Sequence, residues 1–412
     1  MKKVVIIGAG TAGTITANLL AKRAGKDVAI TVVDADPWHY YQPGFLFIPF
    51  GMYTKEQVRR EKKKYLPRGT EFILKKADHI DTAQKKITLA GGDTLSYDYL
   101  VIATGCDIVP EEIPGMSDGW RKNIFDYYTY EGSCALFDAM HNFTGGKLVV
   151  HVNEMPVKCP VAPLEFLFLA DWFFTKRKTR TATSITFVTP LPGAFTKPVA
   201  AKKFGTMLAS RNISMVSDFG TERIDAAAKK IVGYDGREVS YDLLVSIPTN
   251  MGSPLIEDSG LGDEFRFVPA DNNTLQSKAH EDVFVIGDAT NLPSSKAGAV
   301  AHFEAETLVE NLLCRMSGKP LHKGFDGHSN CFIETGFNKA ILIDFNYAQE
   351  PVEGRFPFPV IGPLSLLRES VINHLSKLAF EWIYWNMLLK AIPIPFIPTN
   401  MSLLGKKIPK QQ

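Results

Sequence analysis

The sequence predicts an α/β protein with two Rossmann-like dinucleotide-binding domains, the second without a nucleotide glycine motif, followed by a C-terminal amphipathic helical region. Three observations predict this. A glycine-rich turn joins an apolar strand to a helix at the N-terminus. Residues 85–105 recur, altered, as residues 229–249. The chain after residue 355 changes to an apolar, aromatic and basic composition. A length of 412 residues with 45% hydrophobic and 22% charged side chains suits two domains, or one interlocked α/β unit, with a large core.

The first element is Lys3–Gly8, KVVIIG, an uninterrupted apolar run suited to a buried parallel strand. Gly8-Ala9-Gly10-Thr11-Ala12-Gly13 follows, then a helical run to about Arg23. A second strand, Ala29–Val33, ends at Asp34. This is G-x-G-x-x-G between strand and helix, with an acid about 20 residues on. Gly8 makes the tight turn, Gly10 lets the backbone approach a pyrophosphate, and Gly13 lets helix pack on strand. The helix N-terminus favours phosphate charge, and Asp34 is placed to accept a ribose hydroxyl.

Two later strands narrow the cofactor. Residues 95–105 end in Ala103-Thr104-Gly105, and residues 281–290 end near Gly287-Asp288. With the first turn, this trio resembles the two-dinucleotide-binding-domain flavoproteins related to glutathione reductase. The resemblance implies FAD, with Thr104 and Gly105 near it, Asp288 on its ribityl chain or phosphate, and Ala77 against its adenine.

The repeat pairs KKITLAGGDTLSYDYLVIATG with KKIVGYDGREVSYDLLVSIPT, and so implies a second domain of the same type. Its first strand is expected at 147–152, but the next residues are Asn153-Glu154-Met155-Pro156-Val157-Lys158-Cys159-Pro160. No glycine is there to admit a pyrophosphate, and two prolines stiffen the turn. The nicotinamide site is therefore read as lost. Cys159 stands in its place, before the helical run Leu164–Phe174. A helix N-terminus and the adjacent Lys158 predict a lowered thiol pKa.

Lys158-Cys159-Pro160-Val161-Ala162-Pro163-Leu164-Glu165 resembles the KC-x-x-AP-x-E segment of the sulfide:quinone oxidoreductases. Cys331, in NCFIETG, falls where that family has its partner thiol. Lys296 to His302 resembles the segment along the flavin, with Lys296 and Ala299 as its contacts. The resemblance implies that hydrogen sulfide is oxidised at a disulfide or sulfur-bridged Cys159/Cys331 pair through FAD. Quinone is then reduced, and polysulfide or sulfur is released. Glu165 takes the acid/base role and Lys296 offsets charge on the reduced flavin. Many members carry a third cysteine where this chain has Tyr127, and Cys134 is out of register. Non-covalent FAD is therefore expected. Lys197 replaces an accessory histidine, which puts histidine-based deprotonation of sulfide in doubt. The pattern is closest to the subgroup lacking the third cysteine. Alternatives are a type II NADH:quinone oxidoreductase, the flavin subunit of a flavocytochrome c sulfide dehydrogenase, and a non-catalytic membrane-docked redox sensor.

In the tail, Pro363 suggests a helix start. Leu364, Leu367, Val371, Leu375, Leu378, Trp382, Trp385 and Leu389 then form one stripe at spacings of three and four. From residue 355 there are seven Lys/Arg against two Asp/Glu. An apolar, Trp/Tyr-rich basic helix suits a bilayer surface, and Phe332, Phe356 and Phe358 are candidates for stacking on a quinone. The expected location is peripheral on the plasma membrane, without a signal peptide or spanning helix. The domains are read as 1–110 with 270–320 for FAD, 111–269 for the second Rossmann-like unit, and 321–412 for the tail. A net charge of +2 gives no reason to expect nucleic acid. Five scattered cysteines argue against a secreted disulfide scaffold. His322, His328 and Cys331 lack further ligands at metal spacing, so no metal is expected. A homo-oligomer is compatible with the sequence.

Overall fold

A computed structural model describes residues 1–408. Its first sheet has five parallel strands in the order Val283–Val285, Tyr99–Ile102, Lys2–Ile7, Val28–Asp34, Glu71–Leu74. The strand Lys2–Ile7 is central, with neighbours reached in opposite directions. Its carboxyl end is therefore the topological switch point, where open α/β sheets hold their ligands. Val4, Val5, Ile6 and Ile7 are buried, as an apolar run covered on both faces requires. Helix α1, Thr11–Ala24, leaves from this point.

The second sheet repeats the plan, with strands Ile124–Phe125, Leu243–Ile247, Gly146–Val152, Thr183–Val188 and Ile213–Val216, all parallel. The sequence repeat is visible as structure. Each copy is an antiparallel hairpin leading into a parallel strand, at 86–102 and 230–247. Immediately after the two copies, Cys106–Val109 and Thr249–Gly252 pair antiparallel to each other, so the two crossings between the sheets form one ribbon. Helix α2, Ala162–Lys176, belongs to the second unit, and helix α3, Gly298–Met316, returns to pack on α1.

The C-terminal part departs from expectation. Leu364–Leu366 is a strand, not the start of a helix. It lies between Lys339–Phe345 and Gly354–Phe356 in a four-stranded sheet that has Ser329–Gly336 at its opposite edge. The helix, α4, runs Val371–Ile383 and begins where the Ser370 hydroxyl accepts from the Asn373 N–H. A serine cap sets the start more firmly than the upstream proline. The predicted stripe also divides. Trp385 and Leu389 are buried in the core of the first unit, whereas Val371, Leu375 and Trp382 are exposed at 52%, 57% and 63%. On α4 the buried face is polar: Asn373, His374 and Lys377. The helix is amphipathic but turned inside out.

Asn373 explains part of that orientation. Its amide donates to the carbonyls of Ala340 (3.1 Å) and Ser365 (2.8 Å), and its oxygen accepts from the Ser365 N–H (3.1 Å). Asn373→Ala leaves these buried groups without partners and is expected to destabilise the fold by about 2–3 kcal/mol. The measurement is the denaturant midpoint at unchanged slope.

Candidate functional site

Three turns converge at the switch point because their strands are neighbours. Gly8 has φ +99°, and a Cβ there would lie 2.3 Å from the Ala103 carbonyl oxygen, so only glycine fits. At Gly13 a Cβ would strike the Gly8 oxygen, while at Gly10 and Gly105 nothing lies within 4 Å of one. The backbone at Gly10 is thus open at the N-terminus of α1, and the buried Thr104 hydroxyl has no partner. The third turn, at Gly287, is held by Glu304, whose carboxylate accepts the Gly287 N–H at 2.7 Å. Ala12 packs beneath it, and Ala77 is buried at the start of the hairpin. Open backbone at two glycines, an unpartnered hydroxyl and a helix N-terminus fit a dinucleotide.

Asp34 is more occupied than its sequence position suggests. It accepts from the N–H groups of Ala9 (2.6 Å) and Asp36 (2.9 Å), and pairs with the buried Lys62 at 2.7 Å. Lys62 lies in the run RREKKK, which reads as a solvated basic face, so its burial was not foreseeable. The Thr11 hydroxyl meets the Tyr384 hydroxyl at 2.6 Å, and Tyr384 also meets His39 at 2.7 Å. The tail is thereby tied to the glycine-rich turn.

The equivalent place in the second unit is filled. Beyond Val152, residues Met155, Val157, Pro160, Pro163 and Leu164 close on Phe187 around a void of only about 10 Å³, scarcely enough for one water. The loop that fills it carries Cys159 into a larger, mainly apolar cavity of about 360 Å³. Cys331, Glu165, Lys377, Asp288, Lys296, Ala299 and Tyr127 line the same cavity. Cys159 has φ +50°, a conformation that is costly for a residue with a Cβ. Its N–H donates to the Lys296 carbonyl at 2.6 Å, and its carbonyl accepts from Ala162 N–H and the Tyr128 hydroxyl. The Lys296 ammonium is itself held by the carbonyls of Asp288 (3.0 Å) and Thr290 (2.5 Å) and sits 3.8 Å from the Phe267 ring centroid.

The thiol electrostatics reverse the expectation. Burial pushes the Cys159 thiol well above its ordinary value, Glu165 and Cys331 add to this, and Lys377 only partly offsets it. Lys158 does not supply the missing charge, because its ammonium points to the Cys106 carbonyl at 3.4 Å. Cys331 is pushed up to about 12, again by burial, with Lys377 opposing. All five cysteines are free thiols in this structure.

Glu165 is buried, and one of its oxygens accepts both the Lys377 ammonium at 2.6 Å and the Glu334 N–H at 2.7 Å. Lys377 also donates to the Phe332 carbonyl at 2.9 Å. Burial raises the Glu165 carboxyl against the pull of Lys377. Phe332 lines the cavity as expected, but Phe356 and Phe358 do not. Phe356 packs with Leu342 and Leu366 behind the sheet, and Phe358 meets Phe396. Lys377 and Phe380, missed in the sequence, line the cavity instead, because α4 begins later and faces the opposite way.

The Pyridine nucleotide-disulphide oxidoreductase family model matches residues 2–136. The chain is 27% identical over 395 residues to the mitochondrial sulfide:quinone oxidoreductase of Dictyostelium discoideum, covering 94% of this chain and 86% of that protein. It is 28% identical over 422 residues to the Schizosaccharomyces pombe protein of the same name, covering 94% and 90%. The chain is thus similar to these two sulfide:quinone oxidoreductases over nearly its whole length. The crystal structure of the sulfide:quinone oxidoreductase from Aquifex aeolicus shares its fold, with a TM-score of 0.77 at 23% identity over 94% of this chain and 92% of that one.

Glu304 gives the protein a pH signature. Burial pushes its carboxyl from an ordinary 4.5 up to about 7. The folded state then holds a proton that the unfolded chain has lost. Its contribution is fully present below 4.5 and lost as pH rises through about 7. Glu304→Gln keeps an acceptor for Gly287 without the proton. The variant is expected to lose the decline, becoming more stable than the parent above about pH 8 by on the order of 3 kcal/mol. Unfolding free energy across pH measures this.

Proposed function

We propose that the protein is a sulfide:quinone oxidoreductase with non-covalent FAD, working at a membrane surface. The observation that carries this reading is the conversion of the second dinucleotide site. A cysteine loop fills it and brings Cys159 beside Cys331, a buried acid and the Gly287-Asp288 turn, in one apolar cavity. Gly8, Gly10, Gly13, Thr104, Gly105 and Asp288 are the residues that would hold FAD. When bound, FAD carries two electrons from the sulfur side of the site to the quinone side. Tyr127, in place of a third cysteine, offers no sulfur for a covalent link.

Hydrosulfide attacks the sulfur-bridged form of the Cys159/Cys331 pair. One cysteine keeps the added sulfur as a persulfide, and the other, assigned to Cys331, departs as a thiolate with the electron pair. Both thiols resist ionisation in their buried setting, so the leaving thiolate is a strong donor. Glu165 receives the proton of hydrogen sulfide, and Lys377 balances the charge. Oxidising one sulfide releases two electrons and two protons, and reducing one quinone consumes the same number. Further rounds lengthen the sulfur chain until polysulfide or sulfur leaves. The apolar wall with Phe332 and Phe380 accepts a quinone ring, with Lys377 within the same cavity to meet its oxygen.

The inverted α4 supports the membrane assignment. No helix among the described residues is long and apolar enough to cross a bilayer. Ile372, Leu375 and Trp382 face outward, and Val360, Ile361 and Phe396 are exposed on neighbouring segments that meet through Phe358 and Phe396. An apolar outer face on a basic segment suits insertion into one leaflet, on the plasma membrane in the sequence reading.

Two measurements test these readings. Anaerobic sulfide is expected to bleach the flavin absorbance, with NADH inert and Cys159→Ser unresponsive; bleaching by NADH with sulfide inert would overturn the assignment. Leu375→Asp with Trp382→Asp is expected to weaken sedimentation with anionic vesicles by about tenfold or more, and undiminished binding would contradict the membrane face.

A further inference from the structure

The strand Ser329–Gly336 carries Cys331 and Phe332 and is an edge of its sheet. An edge strand leaves one row of N–H and C=O groups without a partner. Here Glu165 accepts the Glu334 N–H and Lys377 donates to the Phe332 carbonyl. The two charged side chains thus close the edge and meet each other over it. That accounts for Glu165 and Lys377 structurally, but not for the Glu334 side chain. Its carboxylate is fully buried, and both oxygens lie within 3.0 Å of the His374 Nδ1. His374 is itself buried, one helical turn before Lys377 on α4.

A second buried carboxylate beside an existing ion pair is unfavourable unless it is matched by charge or used. The groups facing Glu334 are Glu165 from α2, His374 and Lys377 from α4, and Tyr53 from the segment after residue 50. Arg211 lies next along the strand, bonding the Thr335 carbonyl at 2.6 Å and pairing with Glu369. The Lys377 ammonium pairs with Glu165, and His374 holds the Glu334 carboxylate nearby. An ammonium has three N–H donors. Two of those on Lys377 go to Glu165 and Phe332, which leaves a third for an oxygen in the cavity.

We propose that the Glu334–His374 pair is the proton-return arm of quinone reduction. It acts through Lys377, keeping the ammonium charged and replacing the proton that Lys377 gives to a quinone oxygen. This rests on the sulfide:quinone reading above. Protons and electrons balance: the quinone takes two electrons, one proton from Lys377 and one that sulfide left on Glu165; the second proton of sulfide goes to solvent, and the Glu334–His374 pair takes one from solvent to restore Lys377. Glu334 and His374 touch neither substrate and are positioning residues. Burial also raises the Glu334 carboxyl, with His374 opposing, so it takes up a proton more readily than an exposed glutamate.

The test uses the FAD-loaded protein and separates the half-reactions by stopped flow. Sulfide-driven bleaching is followed first, then reoxidation by a short-chain quinone, across pH. In Glu334→Gln and His374→Ala the rate of reoxidation relative to bleaching is expected to fall about tenfold or more, with loss of its pH dependence and partial recovery of His374→Ala by added imidazole. A readout independent of turnover is the protonated-carboxyl stretch in the infrared during pH titration of the resting protein, which Glu334→Gln should diminish. An unaltered ratio and pH profile, or a parallel fall of both half-reactions without imidazole recovery, would overturn the proposal. Failure of the parent protein to bleach with sulfide would instead overturn the functional reading, and the infrared titration would still report on the pair.

Discussion

The buried ion pair between Glu165 and Lys377 joins three pieces of chain that are distant in sequence. Glu165 comes from the helix behind the cysteine loop, Lys377 from the C-terminal helix, and the strand between them carries Cys331. Each partner also closes an open backbone group on that strand. Removing one partner of such a pair costs about 3–5 kcal/mol because the other is left charged in an apolar setting. The position of Cys331 opposite Cys159 depends on this contact. So does the outward turn of α4, since a helix that buries a lysine, a histidine and an asparagine must leave its apolar face outside.

That geometry links the two ends of the electron path. The helix that presents apolar side chains to the exterior is the one that places Lys377 and Phe380 in the redox cavity. Its continuation, Tyr384 to Leu389, runs into the core of the first unit and reaches Thr11 in the glycine-rich turn.

The first unit was legible in the sequence because its constraints are local and steric. Gly8 and Gly13 are required by carbonyl oxygens closer than any Cβ allows, and such requirements leave glycines at fixed spacing. The internal repeat was legible for the same kind of reason, since hairpin and strand carry one pattern twice. The replacement of the second glycine turn by a proline-bounded cysteine loop was also visible, but its electrostatics were not. Lys158 is adjacent to Cys159 in sequence yet points elsewhere, and the cation that faces the thiols, Lys377, is remote. The tail misled in another way. A stripe of leucines and tryptophans defines a helix face but not which side of it is buried, and Asn373, His374 and Lys377 decided that through partners on a separate sheet. Lys62 and Glu304 were hidden likewise, each looking like a solvated charge until the fold enclosed it.

The central claim is that a lost nucleotide site has become a sulfur site made of Cys159 and Cys331. Its most direct measurement is peptide mass mapping of the protein quenched with an alkylating agent after a brief anaerobic exposure to sulfide. The account predicts an added sulfur atom on the peptide carrying Cys159 or Cys331, or bridging the two, and none on those carrying Cys106, Cys134 or Cys314. Sulfur confined to those three cysteines, or its absence from the pair while the flavin is reduced, would contradict it.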